Sequence, residues 1–319
     1  MIVADGLDRV AVVGCGLMGH GIAQVFAVAG LPVTLIGRRD ASLATAIARI
    51  ETSLADFERH GLLSAACAMA AREHITVSTD ILRAAEAQLV IEALPFEREL
   101  QQEMFGRLDE ICSPPTVLAS ASGELISRIY TRMRHPQRAI AAHFWYPAQL
   151  MPVVEICAGP KTASDVVTWM KSAIEMVGKV PAILEREVEG FIGNRLQFAM
   201  LREAWSMWAN DVASAGAIDA VVRNTLGRRL SVTGPIESAD AAGLEVMYAF
   251  GRMLFPSLDA NSRPPTQIAD MVEAGHRGLR SGRGVYDWSK RDGPSLVAAR
   301  EEMLFRHLSL DLDDERKST

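Results

Sequence analysis

With 319 residues, 49% of them hydrophobic and 23% charged, the chain has the length for one large domain or two moderate ones and the apolar mass for a core. A formal net charge of -6 argues against nucleic acid as the main partner, because phosphate binding needs a clustered basic face. No run approaches the roughly 18 apolar residues of a membrane span, and the opening MIVADGLDRV lacks the basic start and apolar core of a secretory signal. A cytoplasmic location is expected. It suits Cys15, Cys67, Cys112 and Cys157, which lie far apart without CxxC or metal-ligand spacing and read as reduced thiols.

Residues 9–14, RVAVVG, read as a buried strand, followed by a helix ending at Gly30 and a second strand at 32–37. Residues 41–73 are helical with a break near Gly61, and 75–80 is a short extended piece. An apolar strand at 87–94, a helix over 97–111, a strand at 116–122 and a short helix near 124–133 follow. Extended segments at 138–145 and 151–159, a helix at 163–177 and a strand at 180–185 complete this half. Such alternation predicts an α/β fold with a doubly wound, mainly parallel sheet of Rossmann type. Beyond Gly190 the pattern turns helical, with little strand signal. The predicted domains are therefore 1–189, binding a dinucleotide, and 190–319, all-helical. Phe191, Phe198, Trp205 and Trp208 supply large apolar surface there. A homodimer is one reading of it and a plain core the other.

Gly14-Cys15-Gly16-Leu17-Met18-Gly19 is a GxGxxG placed after a strand and at the opening of a helix, the context in which that spacing binds a dinucleotide. Gly14 permits the tight turn, Gly16 lets backbone N–H groups approach a pyrophosphate at the helix N-terminus, and Gly19 lets helix and strand pack closely. Leu17 and Met18 line the same turn. The second strand ends Leu35-Ile36-Gly37-Arg38-Arg39-Asp40. Gly37 stands where an acidic residue would bind the ribose 2′-hydroxyl of NAD, and two arginines follow. That favours the 2′-phosphate of NADP; the alternative is that Arg38 stacks on adenine with NAD bound.

Among seven histidines, His143 stands apart. It follows Ala139-Ile140-Ala141-Ala142 at the C-terminal end of a strand, the edge where open α/β sheets bind ligands. His20, in the first turn after the glycine loop, reads as phosphate-facing or as plain surface. Glu155 lies inside Val153-Val154-Glu155-Ile156, and a carboxylate in such a run needs a partner. From the residues alone, a catalytic His143–Glu155 pair and a structural one are equally open.

The glycine loop, Val90-Ile91-Glu92-Ala93, Ser120-Ala121-Ser122-Gly123, His143-Phe144-Trp145-Tyr146-Pro147, Pro152-Val153-Val154-Glu155, Gly190-Phe191-Ile192-Gly193-Asn194-Arg195 and Gly282-Arg283-Gly284-Val285-Tyr286 occur in one order. That order resembles the L-3-hydroxyacyl-CoA dehydrogenase family over nearly the whole chain, closest to the branch with L-gulonate 3-dehydrogenase (lambda-crystallin). The resemblance implies an NAD- or NADP-dependent dehydrogenase acting on the 3-hydroxy group of a small hydroxy acid or an acyl-CoA. It implies His143 as general acid/base, Glu155 holding and charging it, and Ser122 and Asn194 bonding the substrate oxygen or the histidine. An imidazole titrating near neutrality suits the alcohol's proton. Without the family pattern, Asn194 would read as a helix cap.

Three positions depart from the pattern. The serine turn is one residue short, and keeping the usual interval to His143 selects Ser122 over Ser120. Phe96 replaces an acidic residue after Ala93-Leu94, leaving Ala93 and the displaced Glu97 as cofactor-side contacts. Tyr146 stands where Asn is common. Arg49, Arg59 and Arg72 offer modest charge for CoA phosphates, and Arg195 or Arg202 would serve a free carboxylate, so a small hydroxy acid is preferred. A catalytically silent, crystallin-type dinucleotide-binding protein is the competing class.

Overall fold

The computed structural model describes residues 7–318, with side chains described to residue 312. Eight strands, β1 (Val10–Val13), β2 (Val33–Ile36), β3 (Ile75–Ser78), β4 (Leu89–Glu92), β5 (Val117–Ser120), β6 (Ala139–Phe144), β7 (Val153–Cys157) and β8 (Val180–Leu184), form one sheet. Its order is β3-β2-β1-β4-β5-β6-β7-β8. All neighbours run parallel except β6 and β7. The order reverses between β1 and β4, the switch point where this architecture binds its ligand.

Local sequence explains these choices. β1, β2, β4 and β5 are β-branched or apolar runs, buried along their whole length, as a strand covered on both faces must be. β8 holds Pro181, which lacks a ladder N–H and is tolerated because this strand closes the sheet at one edge. Around the sheet lie α1 (Gly19–Val28), α2 (Asp40–Arg59), α3 (Ala65–Glu73), α4 (Arg98–Ile111), α5 (Ile126–Ile129) and α6 (Ser164–Met176). Two apolar cores form, one built on Phe26, Leu35, Ile50, Leu89 and Ile140, the other on Phe105, Leu108, Leu118, Ile126 and Phe191.

From α7 (Gly193–Ala209) onward there is no strand among the described residues. α8 (Ala215–Asn224), α9 (Leu226–Arg229), α10 (Pro235–Ala242), α11 (Leu244–Leu254), α12 (Thr266–Glu273) and α13 (Gly293–Ser318) follow. The fold class is therefore a Rossmann-type sheet domain followed by helices. The chain divides into two compact units, one running to Ile192 and resuming at Arg300, the other Gly193–Ala299. The hydrophobic pattern placed the whole of 190–319 in the helical domain. The last stretch instead groups with the sheet unit, because Phe305, with Leu304 and Leu308, packs on Phe57, Leu62, Leu63 and Leu150. His60 stacks on Phe305 there, with ring centroids 4.2 Å apart.

Candidate active site

The glycine loop leaves β1 beside the switch point. Gly14 has φ +112, and a Cβ on it would lie 2.5 Å from the carbonyl oxygen of Ala93 at the end of β4. On Gly19 a Cβ would lie 1.7 Å from the Gly14 carbonyl oxygen. Both positions exclude any side chain. Gly16 differs, since its Cβ would meet nothing within 4 Å; the space above this turn is open, as a pyrophosphate cradle requires. His20 is buried rather than at the surface, and its Nδ1 lies 2.8 Å from the Gly16 carbonyl oxygen, pinning the loop. Leu17 is exposed and Met18 immediately precedes α1. Gly37 is buried, and a Cβ there would lie 2.6 Å from Cys15 Sγ and 2.9 Å from Leu43 Cδ2. The place for an acidic residue is thus filled by its neighbours, with Arg38, Arg39 and Glu97 exposed. These residues fit a nicotinamide dinucleotide.

Antiparallel pairing of β6 with β7 sets His143 directly opposite Glu155. Only the short segment 145–152 joins these strands, enough for an antiparallel return but not for a parallel crossover. Lys179 clamps that segment. Its Nζ donates to the carbonyls of Ala148, Gln149 and Met151 at 2.9, 3.3 and 2.8 Å, and burial pushes the ammonium down to about 8.

His143 Nδ1 lies 2.8 Å from Glu155 Oε2, the carboxylate being 3% exposed and the ring 13%. Trp145 Nε1 donates to the same oxygen at 3.0 Å, and the Ile192 backbone N–H donates to Oε1 at 2.8 Å. With Nδ1–H committed to the carboxylate, a neutral imidazole carries its lone pair on Nε2. Phe191 packs edge-on to the imidazole, centroids 5.6 Å apart. Its φ of +47 is a left-handed backbone costing about 1–2 kcal/mol for a side-chain-bearing residue. That conformation presents Phe191 to the ring and the next N–H to Glu155. Phe191 is wholly buried in the sheet unit. It is therefore a core residue, one of the two readings left open for it, but of the sheet unit and not of the helical one.

Ser122 follows β5, half-buried, whereas Ser120 is fully buried with its hydroxyl on Glu92 Oε2 at 2.7 Å. Asn194 is the second residue of α7, in the helical unit.

Two family models match in succession: 3-hydroxyacyl-CoA dehydrogenase, NAD binding domain, over residues 9–188 and 3-hydroxyacyl-CoA dehydrogenase, C-terminal domain, over residues 190–288. The chain belongs to the 3-hydroxyacyl-CoA dehydrogenase family. The 3-hydroxyadipyl-CoA dehydrogenase of Escherichia coli is 34% identical over 285 residues, 88% of this chain; the chain spans 59% of that protein's length. A lambda-crystallin homolog of Bos taurus is 33% identical over 234 residues, 72% of each chain. Among solved structures, that of 5-formyl-3-hydroxy-2-methylpyridine 4-carboxylic acid 5-dehydrogenase, an NAD+ dependent dismutase, superimposes with a TM-score of 0.87 at 26% identity. It covers 94% of this chain and 97% of that one.

Within this 3-hydroxyacyl-CoA dehydrogenase framework, sequence reasoning missed Trp145, Glu92 and Gln101. Glu92 carried the same signal as Glu155, a carboxylate inside an apolar run, and would have been found by the same rule. Gln101 and the Trp145 indole carried none, since both depend on which elements meet.

Proposed function

We propose that this chain is an NAD(P)-dependent dehydrogenase that oxidises the 3-hydroxy group of a small carboxylated alcohol, with His143 as the base. The observation that carries this reading is the 2.8 Å His143–Glu155 pair, on paired strands at the sheet edge that also holds the glycine loop. Bound NAD(P)+ supplies the hydride acceptor. His143 Nε2 takes the hydroxyl proton, and Glu155 stabilises the imidazolium that results. Ser122 bonds the reacting oxygen, and the family pattern adds Asn194, in the first turn of α7, as a further hydrogen-bonding partner. Gly14, Gly16 and Gly19 with Leu17 and Met18 would hold the pyrophosphate, with Ala93 and Glu97 on the nicotinamide side.

A free hydroxy acid is favoured over a CoA thioester by the charge on α2 and α3. Arg59 pairs with Asp56 at 2.8 Å and Arg72 with Glu51 at 2.9 Å, so two of the three arginines there already have carboxylate partners. Such a surface attracts CoA phosphates poorly. The test is a panel of 3-hydroxybutyrate, L-carnitine, L-gulonate and 3-hydroxybutyryl-CoA with both nicotinamides, followed by absorbance. A free acid is expected to give the highest kcat/KM. Preference for the thioester would reverse the substrate assignment, and no turnover at all would favour the silent crystallin type.

Lacking a carboxylate at residue 37, the chain is expected to accept NADP(H) as well as NAD(H), with Arg38 and Arg39 beside the 2′ group. Arg38→Asp should weaken NADPH about ten- to a hundredfold, the worth of a charge-assisted hydrogen bond, and spare NADH. An unchanged ratio of the two dissociation constants, read by nicotinamide fluorescence, would remove Arg38 from the 2′ site.

The helical unit points to a homodimer. Among its described residues Ile218 is the only large apolar side chain buried, while Phe198, Tyr248, Phe250 and Phe255 are 57%, 69%, 52% and 74% exposed. A unit of this size needs a core of its own or a partner that completes one. Sedimentation should give the mass of two chains; a single-chain mass would contradict the dimer. No helix among the described residues is long and apolar enough to cross a membrane. The four unpaired cysteines suit a reducing cytoplasm, which is the proposed location.

A further inference from the structure

A second carboxylate lies two strands inward from His143. Glu92 ends β4 wholly buried and faces Ser120 across the β4–β5 pairing. Ser120 Oγ donates to its Oε2 at 2.7 Å, Gln101 Nε2 to Oε2 at 3.1 Å, and the Leu94 backbone N–H to Oε1 at 2.6 Å. These donors are all neutral. Burial pushes the Glu92 carboxyl above its usual range, against three hydrogen bonds that favour the charged form. Keeping an acidic group here costs stability, because burial disfavours its charged form.

What the arrangement achieves is visible in the hydrogen bonds. The Gln101 amide nitrogen bonds both Glu92 and Ser122 Oγ, the latter at 2.9 Å, while its carbonyl oxygen is buried without a partner. An ionised Glu92 accepts only, and an amide turned this way meets it with hydrogen, where the opposite orientation would face oxygen to oxygen. Ser122 Oγ therefore accepts from Gln101, and from the Glu124 backbone N–H at 3.3 Å. Its own proton is left to give. Within the cluster that proton can go only to Ser120 Oγ, 3.0 Å away, which accepts it while donating its own to Glu92. Ser122 thus enters as a donor whether it points to Ser120 or turns to a substrate oxygen.

We propose that Glu92 and Gln101 are positioning residues that hold Ser122 as a hydrogen-bond donor toward the substrate's reacting oxygen. The inference rests on the dehydrogenase reading above and specifies the polarity of that site. His143 takes the proton from the alcohol, and Ser122 donates to the same oxygen as charge builds on it, the direction in which a preorganised donor lowers the barrier. A Ser122 held as acceptor would compete with His143 for the proton instead.

The test combines Glu92→Gln, Gln101→Leu, Ser122→Ala and the Gln101→Leu/Ser122→Ala double variant. Each is assayed with NAD+ on 3-hydroxybutyrate and 3-hydroxybutyryl-CoA, beside thermal melting and NAD+ affinity. Ser122→Ala should lower kcat roughly 10²–10³-fold, the cost of one lost donor. The two upstream variants should lower it roughly tenfold or more through Ser122, with KM and NAD+ affinity near wild type. The double variant should fall no further than Ser122→Ala, because one route is removed twice. Glu92→Gln removes a buried charge but sets its NH2 against donors that held the carboxylate, so thermal melting serves to show that each variant is folded at the assay temperature. Losses that multiply in the double variant, or full kcat in Glu92→Gln, would overturn the positioning role while leaving the dehydrogenase reading intact. A wild-type enzyme inert on all four substrates of the panel above would overturn the two together.

Discussion

Replacing His143 with alanine is expected to lower kcat roughly 10²–10⁴-fold, the usual contribution of a positioned acid/base group, while NAD+ affinity should stay near wild type. The separation follows from position. His143 sits on β6, with β4 and β5 between it and β1, whose loop provides Gly14, Gly16 and Gly19, so its loss leaves the dinucleotide cradle untouched. Alanine also strips Glu155 of a donor, so His143→Gln serves as a second variant. It retains a hydrogen bond to the carboxylate but offers no base, and should be as slow as alanine. Turnover near wild type in either variant, measured by nicotinamide absorbance at saturating substrate, would remove His143 from the chemistry.

Glu155→Gln is expected to cost nearly as much, again roughly 10²–10⁴-fold in kcat, though the new side chain has almost the same shape. Glu155 takes hydrogen bonds from His143 Nδ1, Trp145 Nε1 and the Ile192 backbone N–H. A glutamine oxygen can serve one side of this arrangement, and its NH2 group must then confront donors on the other. If the amide faces His143, the imidazole turns its lone pair to Nδ1 and its proton to Nε2, the wrong tautomer for a base. If the oxygen faces His143, the Ile192 N–H loses its acceptor, and with it the hold on the strained Phe191 backbone. Either way the imidazolium loses its counter-charge. A glutamine variant with near-normal kcat would reduce Glu155 to a packing role.

The strands, the glycine loop and the break between sheet and helices were legible because each depends on local signals: β-branched runs, glycine spacing and a change of hydrophobic period. His143 and Glu155 were each marked by a polar group at or inside an apolar strand. That they face one another was not legible, since it follows from the antiparallel return of β7 on β6, a non-local fact. The same limit hid the Glu92–Ser120–Gln101 cluster, which brings together β4, β5 and α4. It also misplaced the final helix, whose apolar face reads alike whether it covers its own domain or, as Phe305 does, returns to Phe57. Sequence pattern says that a face must be covered, and tertiary structure decides by what.

The most direct test of the central claim is isotope transfer. 3-Hydroxybutyrate carrying deuterium on its hydroxyl-bearing carbon is incubated with the protein and NAD+, and the reduced nicotinamide is examined by NMR. Deuterium on the nicotinamide ring, formed by the wild type and roughly 10²–10⁴-fold more slowly by His143→Ala, is the predicted result. Oxidation that leaves the label in solvent, or equal transfer by both proteins, would contradict the account.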